Sequence, residues 1–371
     1  MSDAPQTALL PGNRLHLSEG PIDLVVWADG EPAAVAEAYA AAERRFTGLL
    51  AELVAELPLL RTPLDSPSPH AAPRLPHSRQ TWGEGRGEGQ RQLPTVPSPL
   101  RGGWRHVEDM PPAWAPGGGS PEHDRHSQTP TPNPSPQGGG EHVASGEREL
   151  KSPIARRMAE ACRPYREVFI TPMAAVAGAV AEAVLNAMTQ AAPLTRAYVN
   201  NGGDIALHLT PGTSLAIGVV RSLEKAVPEG DVHITYDMPV RGIATSGRHG
   251  RSFSLGIADA VTVLARDAPS ADAAATIIAN AVNVDDAAIV RRPARDLDPD
   301  SDLGDIPVTV DVGPLAPAQI AAALDGGVAC AENLRRAGLI FGALLTLAGE
   351  WRSVGTPDAL LSAPNEKGGR T

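Results

Sequence analysis

Aromatic residues make up only 4% of the 371-residue chain, so its core must be Ala, Val, Leu and Ile packed closely. Cysteine is almost absent. Cys162 and Cys330 lie far apart with no CxxC spacing, which excludes a disulfide framework and a thiolate zinc site. Basic charge is in deficit, with 32 Lys and Arg against 43 Asp and Glu and a formal charge of −11. Such a balance argues against nonspecific nucleic-acid binding, which phosphate neutralisation dominates. The opening MSDAPQTALLPGNRLHL has no basic segment followed by an apolar one, so no secretory signal is read. No stretch is read as approaching the roughly 20 apolar residues of a membrane span. Nucleophile elbow, P-loop and Rossmann fingerprints are missing too. The expectation is an acidic cytoplasmic protein with reduced thiols and no membrane or nucleic-acid partner, and its 42% hydrophobic residues suffice for a sizeable core.

Periodicity and punctuation give the order of elements. Arg14–Gly30 reads as a hairpin, with strands Leu15–Leu17 and Ile22–Trp27 about Ser18-Glu19-Gly20-Pro21. Glu31–Leu60 reads as one long amphipathic helix, because Val35, Tyr39, Phe46, Leu49, Leu53 and Leu57 recur at helical spacing. Residues 62–148 then break the composition. This Pro- and Gly-rich tract holds six of the ten histidines and three of the five tryptophans, and it reads as a disordered insertion. It divides one domain into the halves 1–61 and 149–356, since surface loops tolerate length cheaply. His123, Asp124 and His126 have ligand-like spacing, but nothing in such a tract holds ligands in geometry.

Beyond it, the sequence predicts a helix Pro153–Cys162, a strand Glu167–Thr171 and a helix Met173–Met188, whose main polar side chains are Glu182 and Asn186. Strands follow at Gly212–Val220, Val232–Tyr236 and Val308–Val312, then a helix Pro317–Leu324 and a buried apolar run Gly338–Leu347, strand or short helix. The tail 357–371 reads as loose. Asp296, Asp298, Asp300, Asp302 and Asp305 imitate the start of an EF-hand loop. Ser301 at the sixth position and Pro307 at the twelfth break that pattern, leaving a solvated acidic loop.

Chemistry concentrates in two places. Arg196–Leu209 reads as a hairpin about Asn200-Asn201-Gly202-Gly203-Asp204, where Asn and Gly supply positive φ. A hairpin needs only two such residues, so Asn201, Gly202, Gly203 and Asp204 are candidates to contact a ligand. The second place is Arg241–Val282. Its Thr245-Ser246-Gly247-Arg248 turn, followed by His249 and Arg251, has the composition of an anion-binding loop. Ser270 then reads as the N-cap of an Ala-rich helix that sets Asp272, Thr276 and Asn280 on one face. Asp272 and Thr276 offer two oxygens one turn apart, a set that suits Mg²⁺ holding a diphosphate. Asp272 could equally complement the helix N-terminus, and the anion loop could simply be hydrated.

Taken together and in this order, several segments resemble the ApbE-like superfamily, whose best-known members are FAD:protein FMN transferases. They are Tyr198–Ile205 with its Asn-x-Gly-Gly-Asp, Ala244-Thr245-Ser246-Gly247, Val261-Thr262-Val263, and Ala271-Asp272-Ala273-Ala274-Ala275-Thr276. The resemblance implies an α+β fold (T-fold-like) of antiparallel sheets covered by helices. It implies Mg²⁺ at Asp272 and Thr276, completed by a backbone carbonyl near the start of the Met173–Met188 helix, with FAD or FMN, or another diphosphate, beside it. It further implies an acceptor protein carrying a Thr or Ser hydroxyl, and it leaves oligomerisation open. A noncatalytic binding module of the same fold is one alternative, and a structural or interaction protein whose polar stripe is satisfied internally is another. Two departures stand out. Ala177-Gly178-Ala179-Val180 occupies the place of a Lys-Gly-Tyr-Ala-type segment. A His-x-x-Asp-Pro-x-Thr-Gly segment is missing from the interval Arg248–Ala260, where Ser254 and Asp259 remain as polar residues.

Overall fold

The N-terminal strands are short because the apolar alternation of Leu15, Leu17, Leu24 and Val26 is cut by turn residues, and they fold back on one another in sequence order. The computed structural model describes residues 5–64, 150–219, 230–355 and 361–362. Strands β1 (Gln6–Leu10), β2 (Arg14–Glu19) and β3 (Ile22–Asp29) open the chain. Helices α1 (Pro32–Phe46), α2 (Leu49–Ala55) and α3 (Leu57–Leu60) follow. After the undescribed stretch come α4 (Pro153–Cys162) and α5 (Val176–Ala191), then β4 (Arg196–Asn201), β5 (Asp204–Leu209), β6 (Ser214–Val219), β7 (Gly230–Thr235), β8 (Gly242–Ser246) and β9 (Ala260–Ala265). Helix α6 (Ala268–Ala281), β10 (Ile289–Pro293), β11 (Pro307–Val312), α7 (Pro317–Arg336), β12 (Gly342–Leu347), β13 (Glu350–Gly355) and β14 (Leu361–Ser362) complete the order.

Nine strands form one sheet in the order β1-β2-β3-β4-β5-β8-β9-β12-β13, every neighbouring pair antiparallel. Its inner face packs with α1, α4, α5, α6 and α7 through the main core, rich in Ala as the shortage of aromatics requires. Its outer face contributes Leu207, Leu209, Ile243, Leu264 and Leu344 to a second core with Leu215, Val232 and Ile234 of the small sheet β14-β7-β6. The protein is therefore α+β, with antiparallel sheets covered by helices, as its motifs imply.

Several expectations need correction. The long helix Glu31–Leu60 is three helices, because Gly48 adopts a left-handed φ of +79° and ends the first run at Thr47. Glu167–Thr171 is irregular, and a 3₁₀ turn, Pro172–Ala175, leads directly into α5. The N-cap of α6 is Asp267, whose carboxylate accepts the Ser270 N–H at 2.9 Å, and Ser270 is already helical. Helix α7 runs 12 residues past Leu324 through Gly326 and Gly327, since Gly327 lies against Val282 and Leu345, where a larger residue would clash. The segment Pro172–Ala191 is apolar and long enough to cross a membrane by composition, contrary to expectation, and it is half buried inside the fold as a core helix.

The tract 62–148 falls almost wholly outside the described residues, as do His123, Asp124 and His126 and nearly all of the tail 357–371. Its flanks are tied together. The Glu56 carboxylate accepts the N–H groups of Lys151 and Ser152 at 2.9 and 2.6 Å, and the Leu64 N–H donates to the Ile170 carbonyl at 3.1 Å. Helices α4, α5 and α6 are joined by ions as well as by packing. The Arg157 guanidinium reaches Glu182 at 2.8 Å and Asp267 at 2.6 Å, so Glu182 is part of an ion network.

Helix α5 approaches α6 so closely that a Cβ at Gly178 would lie 2.4 Å from the Ala268 carbonyl oxygen. An Ala normally improves an exposed helix by about 1 kcal/mol over Gly. Here the sign reverses: Gly178→Ala is expected to cost about 1–3 kcal/mol, because the obstacle is backbone and must move. Chemical denaturation measures the change, and a stabilised variant would contradict this packing.

Candidate functional site

The site begins with the β4–β5 hairpin. Gly202 and Gly203 form its two-residue turn with φ of +65° and +112°, which places Asn201 and Asp204 directly opposite each other. Strand alternation puts both on the inner face, beside core residues Val199 and Ala206. They are 3% and 8% exposed. The start of α5 meets them there, and Asn201 Nδ2 donates to the Ala177 carbonyl at 3.2 Å.

From the other side, α6 brings Asp272. Its Oδ2 accepts the Gly178 N–H at 2.9 Å, and the Ala177 N–H also bonds this carboxylate. Asp204 in turn accepts the Thr245 N–H. Asn201 and Asp272 thus meet at the Ala177–Gly178 peptide, the first at its carbonyl and the second at its N–H, with Asp204 across the strand pair from Asn201. Burial raises the Asp272 carboxyl to about 7, against the pull of the Gly178 and Ala177 amides. Burial, and then the Asp272 charge, hold Asp204 well above the usual carboxylate range, with the Thr245 amide and Arg251 opposing. The Asp204 Oδ1 and Asn201 Oδ1 atoms are buried and have no hydrogen-bond partner. Cys162 feels the same charge: burial first and Asp272 second push its thiol up.

The remaining candidates divide. Thr276 lies one turn beyond Asp272, partly buried, and its hydroxyl makes no hydrogen bond among the described residues. Asn280, third on the polar stripe, accepts the Leu255 N–H at 3.0 Å and so holds the loop before β9. Thr245 turns its hydroxyl to Thr262 at 2.9 Å, on the sheet face opposite Asp272, and only its amide faces the site. Ser246 follows on the inner face, and Gly247 allows the backbone to pass Asp259, whose carbonyl oxygen would lie 2.4 Å from an added Cβ.

Arg248 is paired with Asp259, at 3.0 Å from Nε and 2.8 Å from Nη2, and His249 shares the same carboxylate oxygen at 3.3 Å. The other Asp259 oxygen accepts the Ala348 N–H. Arg251 donates to the Pro21 carbonyl at 2.8 Å and covers the hairpin turn, where a Cβ on Gly202 would come within 2.3 Å of its Nη2. These cations are folded back onto the protein. Sequence patterning missed this, since composition alone does not say which carboxylate or carbonyl a loop cation will meet.

Chemically, the cluster offers oxygen ligands only: two carboxylates, an amide oxygen and nearby main-chain groups. Among the described residues, no three His, Cys, Asp or Glu side chains come together. That set suits a hard cation taking one or two carboxylates and completing its shell with water or phosphate. A shallow depression of about 320 Å³, lined by Asn283, Val284, Asp285 and Arg291, does not include the pair.

Comparison with known proteins yields three groups of matches. The family described as AbpE bacteria matches residues 7–81 and 141–353. The UPF0280 protein of Methanoregula boonei is 42% identical over 123 residues, 32% of this chain and 49% of its own length. Those of Methanothrix thermoacetophila and Methanopyrus kandleri are 39% identical over 137 residues and 36% over 133, covering 36% of this chain each and 54% and 51% of their own lengths. The chain spans about half the length of the curated relatives it matches. Among solved structures, the apo form of Pseudomonas stutzeri flavinyl transferase ApbE gives a TM-score of 0.29 at 15% identity, over 52% of this chain and 50% of that one. The flavin transferase ApbE from Vibrio cholerae gives 0.27 at 15%, over 53% and 54%. Because the family match runs through both halves that flank residues 82–140, the chain belongs to the AbpE bacteria family, a branch of the ApbE-like superfamily.

Proposed function

We propose that this protein binds a flavin nucleotide, FAD or FMN, or another diphosphate, together with Mg²⁺ at the Asp272 end of the cluster. The observation that carries the reading is the pair formed by buried Asp204 and partly buried Asp272. The Asp272 charge adds to the cost of ionising Asp204, so the ionised pair calls for a compensating positive charge, and no cation of the protein contacts Asp272 among the described residues. The residues fit such an ion. Asp272 and Thr276 present oxygen on one helical face, and the Ala177 carbonyl lies at the same place. A bound Mg²⁺ would supply Lewis-acid polarisation of a phosphoryl oxygen. The chain's own part is to orient: the amides of Ala177 and Gly178 fix the Asp272 carboxylate, and Gly203, beside the Gly202 that Arg251 covers, leaves open space for a ligand.

A noncatalytic binding module is the second reading, and specific residues favour it. Ala177 stands where the resembling transferases have a lysine. The interval from Arg248 to Ala260 lacks their histidine-containing segment and commits Arg248 to Asp259.

A ligand screen tests both. At 100-fold excess over its dissociation constant, a ligand stabilises by about 2.7 kcal/mol. FAD with Mg²⁺ is therefore expected to raise the melting temperature by about 5–10 °C, and Asp272→Ala to abolish the shift. Chromatography of the same samples separates the readings, since FMN, AMP or flavinylated protein appears only in the catalytic case. No shift with FAD, FMN, ATP or other diphosphates, with or without Mg²⁺, would overturn the proposal.

A further inference from the structure

We propose that Asn201 and Asp204 are themselves ligands of the cation at Asp272, so that the protein takes up the metal before any nucleotide arrives. The inference rests on the cation reading of Asp272 and extends it to the hairpin. Asn201 is the first argument. Its Nδ2 donates to the Ala177 carbonyl, which fixes the orientation of the amide, because the flipped form would set two oxygens against each other. Its Oδ1 is then directed away from Ala177, buried and without a partner, although a buried amide oxygen is ordinarily satisfied.

Asp204 is the second. It lies cross-strand from Asn201, its Oδ1 is likewise buried and unpartnered, and the charge of Asp272 acts on it. A fold that only needed a hairpin at Gly202-Gly203 would have no use for a buried carboxylate beside it. Two carboxylates balance the two charges of a divalent ion without help from a phosphate, and an amide oxygen adds a neutral third ligand. A site with Asp272 as its sole carboxylate would depend far more on the nucleotide's own oxygens.

The test is a Mn²⁺ titration of the full chain with no nucleotide present, following the loss of the free-ion EPR signal. Wild-type protein is expected to bind one Mn²⁺ per chain. Asp204→Asn and Asn201→Leu should each weaken that binding by about tenfold or more, the scale on which even outer-shell changes act on metal sites. Melting in the presence of a chelator checks folding. Asp204→Asn removes a buried charge and should melt no lower than wild type at pH 8. If either variant fails to fold, Asp204→Ser, which keeps a small polar side chain there and leaves the Asn201 contact with Ala177 intact, should likewise weaken Mn²⁺ binding by about tenfold or more, and an unchanged affinity there overturns the proposal. Loss of Mn²⁺ binding in Asp272→Asn with full retention in Asp204→Asn overturns this inference and leaves the cation reading intact. Binding by the wild type only when nucleotide is added has the same effect. A wild type that binds no Mn²⁺ in either condition overturns both.

Discussion

Arg157→Ala is expected to destabilise the fold by about 3–5 kcal/mol, the range for removing one partner from a buried ion pair. Arg157 belongs to α4, Glu182 to α5, and Asp267 caps α6, so a single guanidinium ties three helices together. The three side chains are 26%, 20% and 19% exposed, so water can replace the lost cation only in part and the loss should fall toward the lower end of that range. Burial raises the Glu182 carboxyl, and Arg157 opposes that rise. At Asp267 burial would also raise the carboxyl, but the Ser270 hydroxyl and amide with Arg157 outweigh it and hold the group below the usual carboxylate range. Truncating Arg157 therefore lets both rise. A group with a raised folded pKa binds more protons in the native state, so its stability falls as pH rises. The deficit of the variant should accordingly be larger at pH 8 than at pH 5. Urea denaturation at the two pH values measures it. A loss under about 1 kcal/mol at pH 8 would mean that the network behaves as an exposed surface pair.

Alternation and turn residues made the hairpins legible in the sequence, because a period of two and a Gly-Gly turn are local facts. The β2–β3 and β4–β5 pairs stand where Leu15, Leu17, Leu24 and Val199 put them. Strand β1 was not legible: Gln6–Leu10 is exposed along nearly its whole length, so no burial pattern marks it. The break at Gly48 was hidden by apolar residues that keep helical spacing across it. The two halves of the candidate site were visible separately, as Asn-x-Gly-Gly-Asp and as the Asp272 stripe. Their meeting was not, since it depends on Gly178 letting α5 sit against α6 and on the Asn201 contact with Ala177. Spacing also gave Asn280 and Asp272 equal weight on one stripe. Only the loop amide of Leu255 separates their roles.

In the presence of a chelator, the protein is expected to lose stability as pH rises from about 4 to 7. Most proteins with paired carboxylates do the opposite, so the sign is diagnostic. Burial raises the Asp272 carboxyl from 3.8 to about 7, which means that the native state holds a proton that the unfolded chain has released. Stability is thus fully present below the unfolded value and declines through the window up to the folded one. Each pH unit inside it is worth about 1.4 kcal/mol, so the whole decline is on the order of 4 kcal/mol. Asp204, raised in the same direction by burial and by Asp272, acts with it as one pair. Asp272→Asn keeps an oxygen to accept the Gly178 N–H and removes the charge, so its melting temperature should fall less steeply across the window than that of wild type, the buried Asp204 and Glu182 still contributing, and exceed that of wild type at pH 8. A divalent ion bound by the pair would stabilise the ionised form, so saturating Mg²⁺ should flatten the wild-type profile from the opposite side, by raising its alkaline limb. Melting curves from pH 4 to 8, with chelator and with Mg²⁺, separate these cases. A wild-type profile that climbs with pH in chelator would mean that the Asp204 and Asp272 charges are already compensated within the fold, and the cation site would lose its electrostatic basis.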